Sequence, residues 1–212
     1  MRLIESDADI QEGLAALAAG EPRFHPMIEQ AGPIPLRRHT PGFSGLCSVI
    51  VAQQLSVASA NAIWRRTTEG LTPFEPGTLV QASDEAFRKC GLSAPKIRTL
   101  RAIAEAAGSG SLRLDALAAM TPDEAQDHLV AVRGIGPWTA HIYRMFYLGE
   151  ADVFAPGDLA LQEAIRIGFA LDQRPNVKEL DAMAASWSPW RAVAARLLWA
   201  YYRAVKTREG VT

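Results

Sequence analysis

Cysteine is scarce in this 212-residue chain: Cys47 and Cys90 are the only two and stand far apart. Such a pair excludes a disulfide framework and any cluster needing four closely spaced thiolates, and fits ordinary buried thiols in a reducing compartment. The four histidines, His25, His39, His128 and His141, show no zinc spacing of the HExxH kind and read as surface or packing residues. No apolar run approaches the ~20 residues of a membrane span, and the opening MRLIESDADI lacks the apolar centre of a signal peptide. A basic surplus is missing too. The net charge of −1 does not announce the long electrostatic footprint of many nucleic-acid binders. Period-two alternation is rare, no repeat is visible, and the GSGS break at 108–111 is too short to link domains.

What is present is apolar and helical. Hydrophobic residues make up 49% of the chain and charged residues 21%, the composition of a globular protein large enough for one ordinary domain or two small lobes around a cleft. Helical spacing predicts elements over Asp7–Ala19, Phe43–Thr68, Ser83 to Gly91, Ala94–Ala107, Thr121 to Gly134, Pro137 to Gly149, Asp158 to about Leu171 and Trp190 to about Lys206. Thr121-Pro122-Asp123-Glu124 is a strong start: an N-cap, a proline at the first helical position, and acids in the first turn. The fold class is all-α. Charge is uneven along it, with basic runs at 88–113 and 191–208 and acids gathered at 115–127 and 150–158. A solvated helix face is the simplest account of either basic run.

The most informative stretch is LVAVRGIGPWTAHIYRMFYLGEADVFAPGDLAL, Leu129 to Leu161. It reads as helix, a tight turn at Gly134-Ile135-Gly136, and helix again. Two glycines around one apolar residue allow a sharp turn and a close backbone approach. The amides opening the second helix lack intrahelical acceptors and suit a phosphate, a grip that needs no lysine and so weakens the objection from net charge. An ordinary αα-hairpin would carry the same three residues.

The wider pattern resembles the helix-hairpin-helix (HhH-GPD) DNA glycosylases, in their alkylbase, 3-methyladenine type II branch. The resemblance rests on Gly134-Ile135-Gly136-Pro137-Trp138-Thr139-Ala140, then Asp152-Val153-Phe154 with Pro156 and Asp158. It also rests on Gln53-Gln54-Leu55-Ser56, on Gly91-Leu92-Ser93 with Lys96, and on Trp187-Ser188-Pro189-Trp190-Arg191. These pieces cover about 43–203 in family order. The resemblance implies a two-lobed helical fold with a central cleft and a single domain over 1–212. Within it the hairpin falls at about 122–148 and a catalytic loop at 149–158. About 40 residues before the first motif leave no room for the N-terminal β domain of some relatives.

It further implies a monofunctional DNA N-glycosylase of base excision repair, flipping an alkylated purine out of duplex DNA and hydrolysing its N-glycosidic bond. Asp158 is the implied catalytic carboxylate, stabilising oxocarbenium character at C1′ and orienting or deprotonating water. An aspartate before Leu159-Ala160-Leu161 is also a good N-cap, and both roles can hold at once. Bifunctional relatives carry a lysine at the Trp138 position and cleave the strand through a Schiff base; tryptophan there removes that amine. An aromatic wall at Trp138 suits a cationic alkylated base, with Trp187 or Trp190 as a second wall or as core packing. Gln54, or alternatively Leu55, fills the gap left by the flipped base, with Gln53 beside them; a polar helix cap is the alternative. Gly134, Gly136 and Thr139 complete the DNA contacts.

No cofactor is required. A Na+ or K+ ion at the hairpin, held by the main-chain carbonyls of Val130, Val132 and Ile135, is a family feature; an iron–sulfur cluster is excluded. The expected partner is double-stranded DNA with alkylated bases, met by a monomer away from membranes, in a bacterial cytoplasm at the nucleoid or in a eukaryotic nucleus. A noncatalytic DNA-binding module is the alternative, and it would need neither Asp158 nor an aromatic pocket.

Overall fold

A computed structural model describes residues 2–209, and apart from an isolated bridge between Leu3 and Glu150 every regular element in it is helical. In chain order these are α1 (Asp7–Gly20), α2 (Phe24–Ala31), α3 (Phe43–Ala52), α4 (Val57–Gly70), α5 (Pro76–Gln81), α6 (Asp84–Lys89) and α7 (Ala94–Gly108). There follow α8 (Pro122–Val130), α9 (Pro137–Tyr143), α10 (Leu159–Gly168), α11 (Val177–Ala184) and α12 (Arg191–Glu209), with a π-turn at Arg144–Leu148. The chain divides into two compact units, one formed by Met1–Arg38 with Arg144–Thr212 and the other by His39–Tyr143. No helix among the described residues is long and apolar enough to cross a membrane.

Capping explains several starts. Ser6 with Asp9, Thr121 with Glu124 and Asn176 with Glu179 form reciprocal capping boxes on α1, α8 and α11, each satisfying orphan amides of the first turn. The 43–68 run is two helices rather than one. Gln53 leaves helical geometry, Gln54 sits at φ 57°, and Ser56 accepts from the Ser59 amide to restart the chain as α4. The first hairpin helix stops at Val130, short of Gly134, and α9 is α-helical only to Tyr143 before the π-turn runs to Leu148. Three helices lie outside the expected set: α2, which lacks a side-chain cap; α5, only six residues long; and α11, whose Asn176/Glu179 box is legible in the chain.

In the first unit, α12 packs on α1, α2 and α10. Ile10, Phe24, Met27, Ile165, Leu197 and Leu198 fill that core. In the second, α7 packs on α3 and α5 around Leu46, Ile50, Leu79, Leu100 and Ile103. Burial of each such aliphatic side chain contributes about 1.5–3 kcal/mol.

Candidate functional site

The hairpin belongs to the second unit, where its two glycines do different work. Gly134 has φ +93°, and a Cβ on it would collide with Thr99 Oγ1 and stand 2.9 Å from Thr99 Cγ2. This glycine is required by the fold itself. Gly136 has no left-handed φ, and nothing lies within 4 Å of where its Cβ would be. Between them Ile135 is buried, and its amide donates to the Val132 carbonyl at 3.0 Å, closing the turn. The Gly136 carbonyl then accepts the Ala140 amide at 3.1 Å to begin α9. Trp138 is half-buried in the first turn of that helix.

The same unit joins the hairpin to the Gln53 segment. Gln53 Nε2 donates to Thr139 Oγ1 at 2.8 Å, so two residues 86 apart in sequence share one hydrogen bond. Lys96 Nζ donates to the Val51 and Gln53 carbonyls at 2.6 and 2.9 Å, capping α3 with a cation where the helix dipole favours one. Burial lowers the Lys96 pKa. Beyond this clamp the side chains of Gln54, Leu55 and Val57 are exposed, Val57 to 75%. Left-handed geometry at a non-glycine such as Gln54 costs of order 1 kcal/mol and persists only where neighbours impose it.

Asp158 belongs to the first unit, at the end of a loop pinned along its length. The Ile4 amide donates to the Gly149 carbonyl at 2.8 Å, the Ala151 amide to the Arg2 carbonyl at 3.1 Å, and the Ala192 amide to the Ala151 carbonyl at 2.9 Å. Glu150 is buried and accepts from buried Arg144, through Nε at 3.0 and 3.1 Å and a terminal nitrogen at 2.6 Å. Asp152 accepts from Arg191 Nε at 2.6 Å and Ser188 Oγ at 2.9 Å, and its carbonyl accepts from Arg191 at 3.1 Å. Burial alone would raise the Asp152 pKa; the bonds from Arg191 and Ser188 outweigh it and hold the carboxyl below its usual value. Gln162, also buried, donates from Nε2 to the Pro156 carbonyl at 2.8 Å.

The half-exposed Asp158 then caps α10, its Oδ1 accepting from the Ala160 and Leu161 amides at 2.9 and 3.2 Å. The positive end of a helix thus holds one carboxylate oxygen in place. Such a carboxylate can stabilise a developing cation without reorganising.

Trp187 and Trp190, for which the sequence left pocket wall and core packing both open, lie in closely packed surroundings. Trp187 is 4% exposed and meets Phe24, Phe154 and Phe169 edge-on at 5.3, 5.5 and 6.4 Å. Trp190 is 5% exposed, with the Arg2 guanidinium 4.0 Å from its ring centroid and α1 so close that a Cβ on Gly13 would be 2.9 Å from the ring. Little of either ring is left to receive a base; their remaining edges border a 130 Å³ recess with Ala16, Leu17 and Gly20. Core packing is the role the structure gives them.

At the hairpin, the Val132 carbonyl keeps a second lone pair beyond its bond from Ile135, and hard carbonyl oxygens suit an alkali cation. Among the described residues no group of three or more His, Cys, Asp or Glu could hold a metal ion. Cys47 and Cys90 are buried free thiols, and burial raises the pKa of both.

Residues 47–191 match the model of the HhH-GPD superfamily of base excision DNA repair proteins. The chain belongs to this superfamily. This HhH-GPD protein is 24% identical over 204 residues to the alkylbase DNA glycosidase-like protein mag2 of Schizosaccharomyces pombe, covering 92% of this chain and 95% of that one. Among solved structures it resembles the Schizosaccharomyces pombe 3-methyladenine DNA glycosylase Mag1 in complex with abasic DNA. That match has TM-score 0.81 and 26% identity, over 89% of this chain and 95% of that one. It also resembles a DNA-3-methyladenine glycosidase from Bacillus halodurans, with TM-score 0.77 and 32% identity over 99% and 95% of the two chains. Other curated relatives are longer, and the chain spans 41%, 56% or 58% of their length.

Several working residues of this HhH-GPD protein were not given roles by the sequence reading. Lys96, Asp152 and Arg191 lie in the matched motifs, yet what they hold emerges only in three dimensions. Arg196 is 4% exposed and donates to the carbonyls of Leu36, Ala192 and Met145 at 3.3, 2.9 and 3.1 Å. Burial, with the charges of Arg38 and Arg37, pushes its pKa down to about 9, so it stays charged at neutral pH. With Phe146, Trp199, Arg37 and Arg203 it borders a narrow recess. An isolated arginine among alanines and leucines was the available signal.

Proposed function

We propose that this protein is a monofunctional DNA N-glycosylase that releases alkylated purines from duplex DNA. The observation that carries the reading is Asp158: a carboxylate at a helix N-terminus, on a loop fixed by a buried ion pair, a second ion pair and main-chain bonds from both ends of the chain. A structural cap would not need so rigid an approach. The family and the names of its relatives support a hydrolase acting on N-glycosyl bonds and DNA as its partner.

Mechanistically, the target nucleotide leaves the stack, with Gln54 or Leu55 at the exposed tip taking its place. The hairpin amides of Gly134, Gly136 and Thr139 hold phosphate, with the Gln53–Thr139 bond fixing the tip against the hairpin. Trp138 stacks on the base; a base alkylated at N3 or N7 is cationic, is attracted to the ring by about 0.5–2 kcal/mol, and leaves readily. As the glycosidic bond stretches, positive charge grows at C1′ and the Asp158 carboxylate stabilises it. The same group orients or deprotonates the attacking water. A Na+ or K+ ion on the carbonyls of Val130, Val132 and Ile135 would add positive charge beside the phosphate. With Trp138 at the hairpin position, water is the nucleophile and the strand stays intact. The protein acts as a monomer.

Single-turnover release of free base from a methylated duplex tests this. Asp158→Asn keeps the cap but removes the charge, and should slow release at least about 100-fold while DNA binding persists. Near-normal release by the variant moves catalysis elsewhere. DNA binding by the native protein with no release from any alkylated duplex would instead support a noncatalytic module.

A further inference from the structure

A groove of about 420 Å³ lies beside the hairpin in the second unit, and nothing above uses it. Pro95, Thr99 and Ala102 of α7 line one side and Arg133 and Gly134 the other, with Arg98, Arg101 and Glu105 along it. The three arginines are not equivalent. Arg101 is engaged, donating to the Ala82 carbonyl at 2.7 Å and pairing with Asp84 at 2.9 Å. Arg98 and Arg133 are exposed, and neither has a hydrogen-bond or ion-pair partner among the described residues. Arg88 and Lys89, in the same basic run but outside the groove, are by contrast tied to Asp84 and Glu85.

We infer that this groove is a second phosphate-binding site, in which Arg98 and Arg133 take DNA phosphates next to the one held by the hairpin amides. Continuity with the hairpin decides the occupant. Gly134 is at once the tight turn of the hairpin and a wall of the groove, so a strand resting on the hairpin passes the groove's mouth. Phosphates of one strand recur every ~3.4 Å of helix axis, so the next ones along fall within reach of a groove at the hairpin's edge. Guanidinium forks match phosphate oxygens in geometry as well as charge. Contacts of this kind hold and orient the duplex but carry no base information. Glu105 opposes the binding from the far end. The site therefore adds side-chain charge to a grip that otherwise depends on backbone.

The test is affinity for an undamaged duplex across a salt series, using the full chain with Arg98→Gln, Arg133→Gln and the double variant. Each single variant should flatten the slope of log affinity against log salt by about one, and the double by about two. Between 50 and 200 mM salt, each lost contact then reduces the fall in affinity by about 3.5-fold. Glu105→Gln should tighten binding. Lys89→Gln removes one positive charge from the same basic run outside the groove and should leave the slope unchanged. Unaltered slopes in the double variant overturn the site, and so does an equal effect of Lys89→Gln, which would mark a diffuse field. Inorganic phosphate titrated into the native protein separates the sources. Weak or no competition at millimolar phosphate is expected of a site built for a strand, and saturable binding without any duplex effect would make it a free-anion site and overturn the assignment. Base release is measured separately, with duplex in excess at low salt. A protein that binds with the expected slopes but releases no base refutes the proposed function and leaves the groove standing.

Discussion

Replacing Gly136 by valine separates the folding role of the hairpin from the binding role proposed for it. At this position the structure offers no objection to a side chain: φ lies outside the left-handed region and no atom is within 4 Å of the added Cβ. Extended geometry, which the following Pro137 favours, is also congenial to a β-branched residue. Valine is a poor helix-start residue, costing about 1 kcal/mol against glycine there, while the loss of unfolded-state freedom returns about 0.4–1 kcal/mol. Stability should therefore change by less than about 1 kcal/mol. Binding should not be so forgiving. An isopropyl group on the open face holds a strand away from the amides, and the loss of one charge-assisted hydrogen bond is worth about 1.5–3 kcal/mol. At 1.4 kcal/mol per tenfold, that is a weakening of roughly 10- to 150-fold, equal for damaged and undamaged duplexes. Anisotropy titrations of matched duplexes at one salt concentration measure it, after a thermal melt has shown the variant folded. A folded Gly136→Val protein that binds undamaged duplex like the native one would refute the reasoning and remove the hairpin from the DNA surface.

Gly134→Ala should behave in the opposite way: left-handed φ costs about 1–2 kcal/mol and the collision with Thr99 adds to it, for a total near 2–4 kcal/mol in denaturant melts. Adding Thr99→Ala should recover the steric part, and no recovery would show that the collision is relieved by other means. Trp138→Ala should lower excision and lesion preference but leave affinity for undamaged duplex nearly intact; a parallel loss of both would give Trp138 a structural role. Borohydride should trap no covalent adduct on damaged duplex, and a robust adduct would show that some amine acts as nucleophile. For Asp152, the folded pKa lies below the unfolded value of about 3.9, so its contribution is complete above that value and lost as pH falls through the folded pKa. Melting temperature followed from about pH 6 to about pH 3 should therefore fall less steeply in Asp152→Asn than in the native protein.

How much of this was legible in the chain differs from residue to residue. Local signals served well: Thr121-Pro122-Asp123-Glu124 forms the capping box it promised, and Asp158 caps α10. The Gly-x-Gly turn was legible as a turn, but which glycine the fold requires was not. That depends on Thr99, thirty-five positions away and meaningful only once α7 is placed. The same limit hid the Gln53–Thr139 bond and the Lys96 clamp, whose partners are a side chain and two carbonyls distant in sequence. Trp187 and Trp190 were left open between two roles. Tryptophan is equally at home in a pocket wall and in a core, and only contacts with Phe24, Phe154, Phe169 and α1 decide between them. At 43–68 apolar spacing alone runs on through the break, whereas Gln53-Gln54-Leu55-Ser56, read as the start of a turn between helices, is where Gln53 leaves helical geometry and Gln54 takes φ 57°.

The unit that carries Asp158 is discontinuous, built from Met1–Arg38 and Arg144–Thr212, whereas the hairpin unit is one uninterrupted stretch. Synthesis from the N-terminus imposes an order on the two. His39–Tyr143 has all its residues outside the ribosome while much of the other unit is still untranslated, and units generally fold as they emerge. The loop before Asp158 needs Arg2 and Ile4 from the segment before the hairpin unit, and Arg191 and Ala192 from the segment after it. A nascent chain can thus complete the hairpin unit before the loop that positions Asp158 is closed. Truncation within α12 should leave a chain that folds in part and binds without reacting.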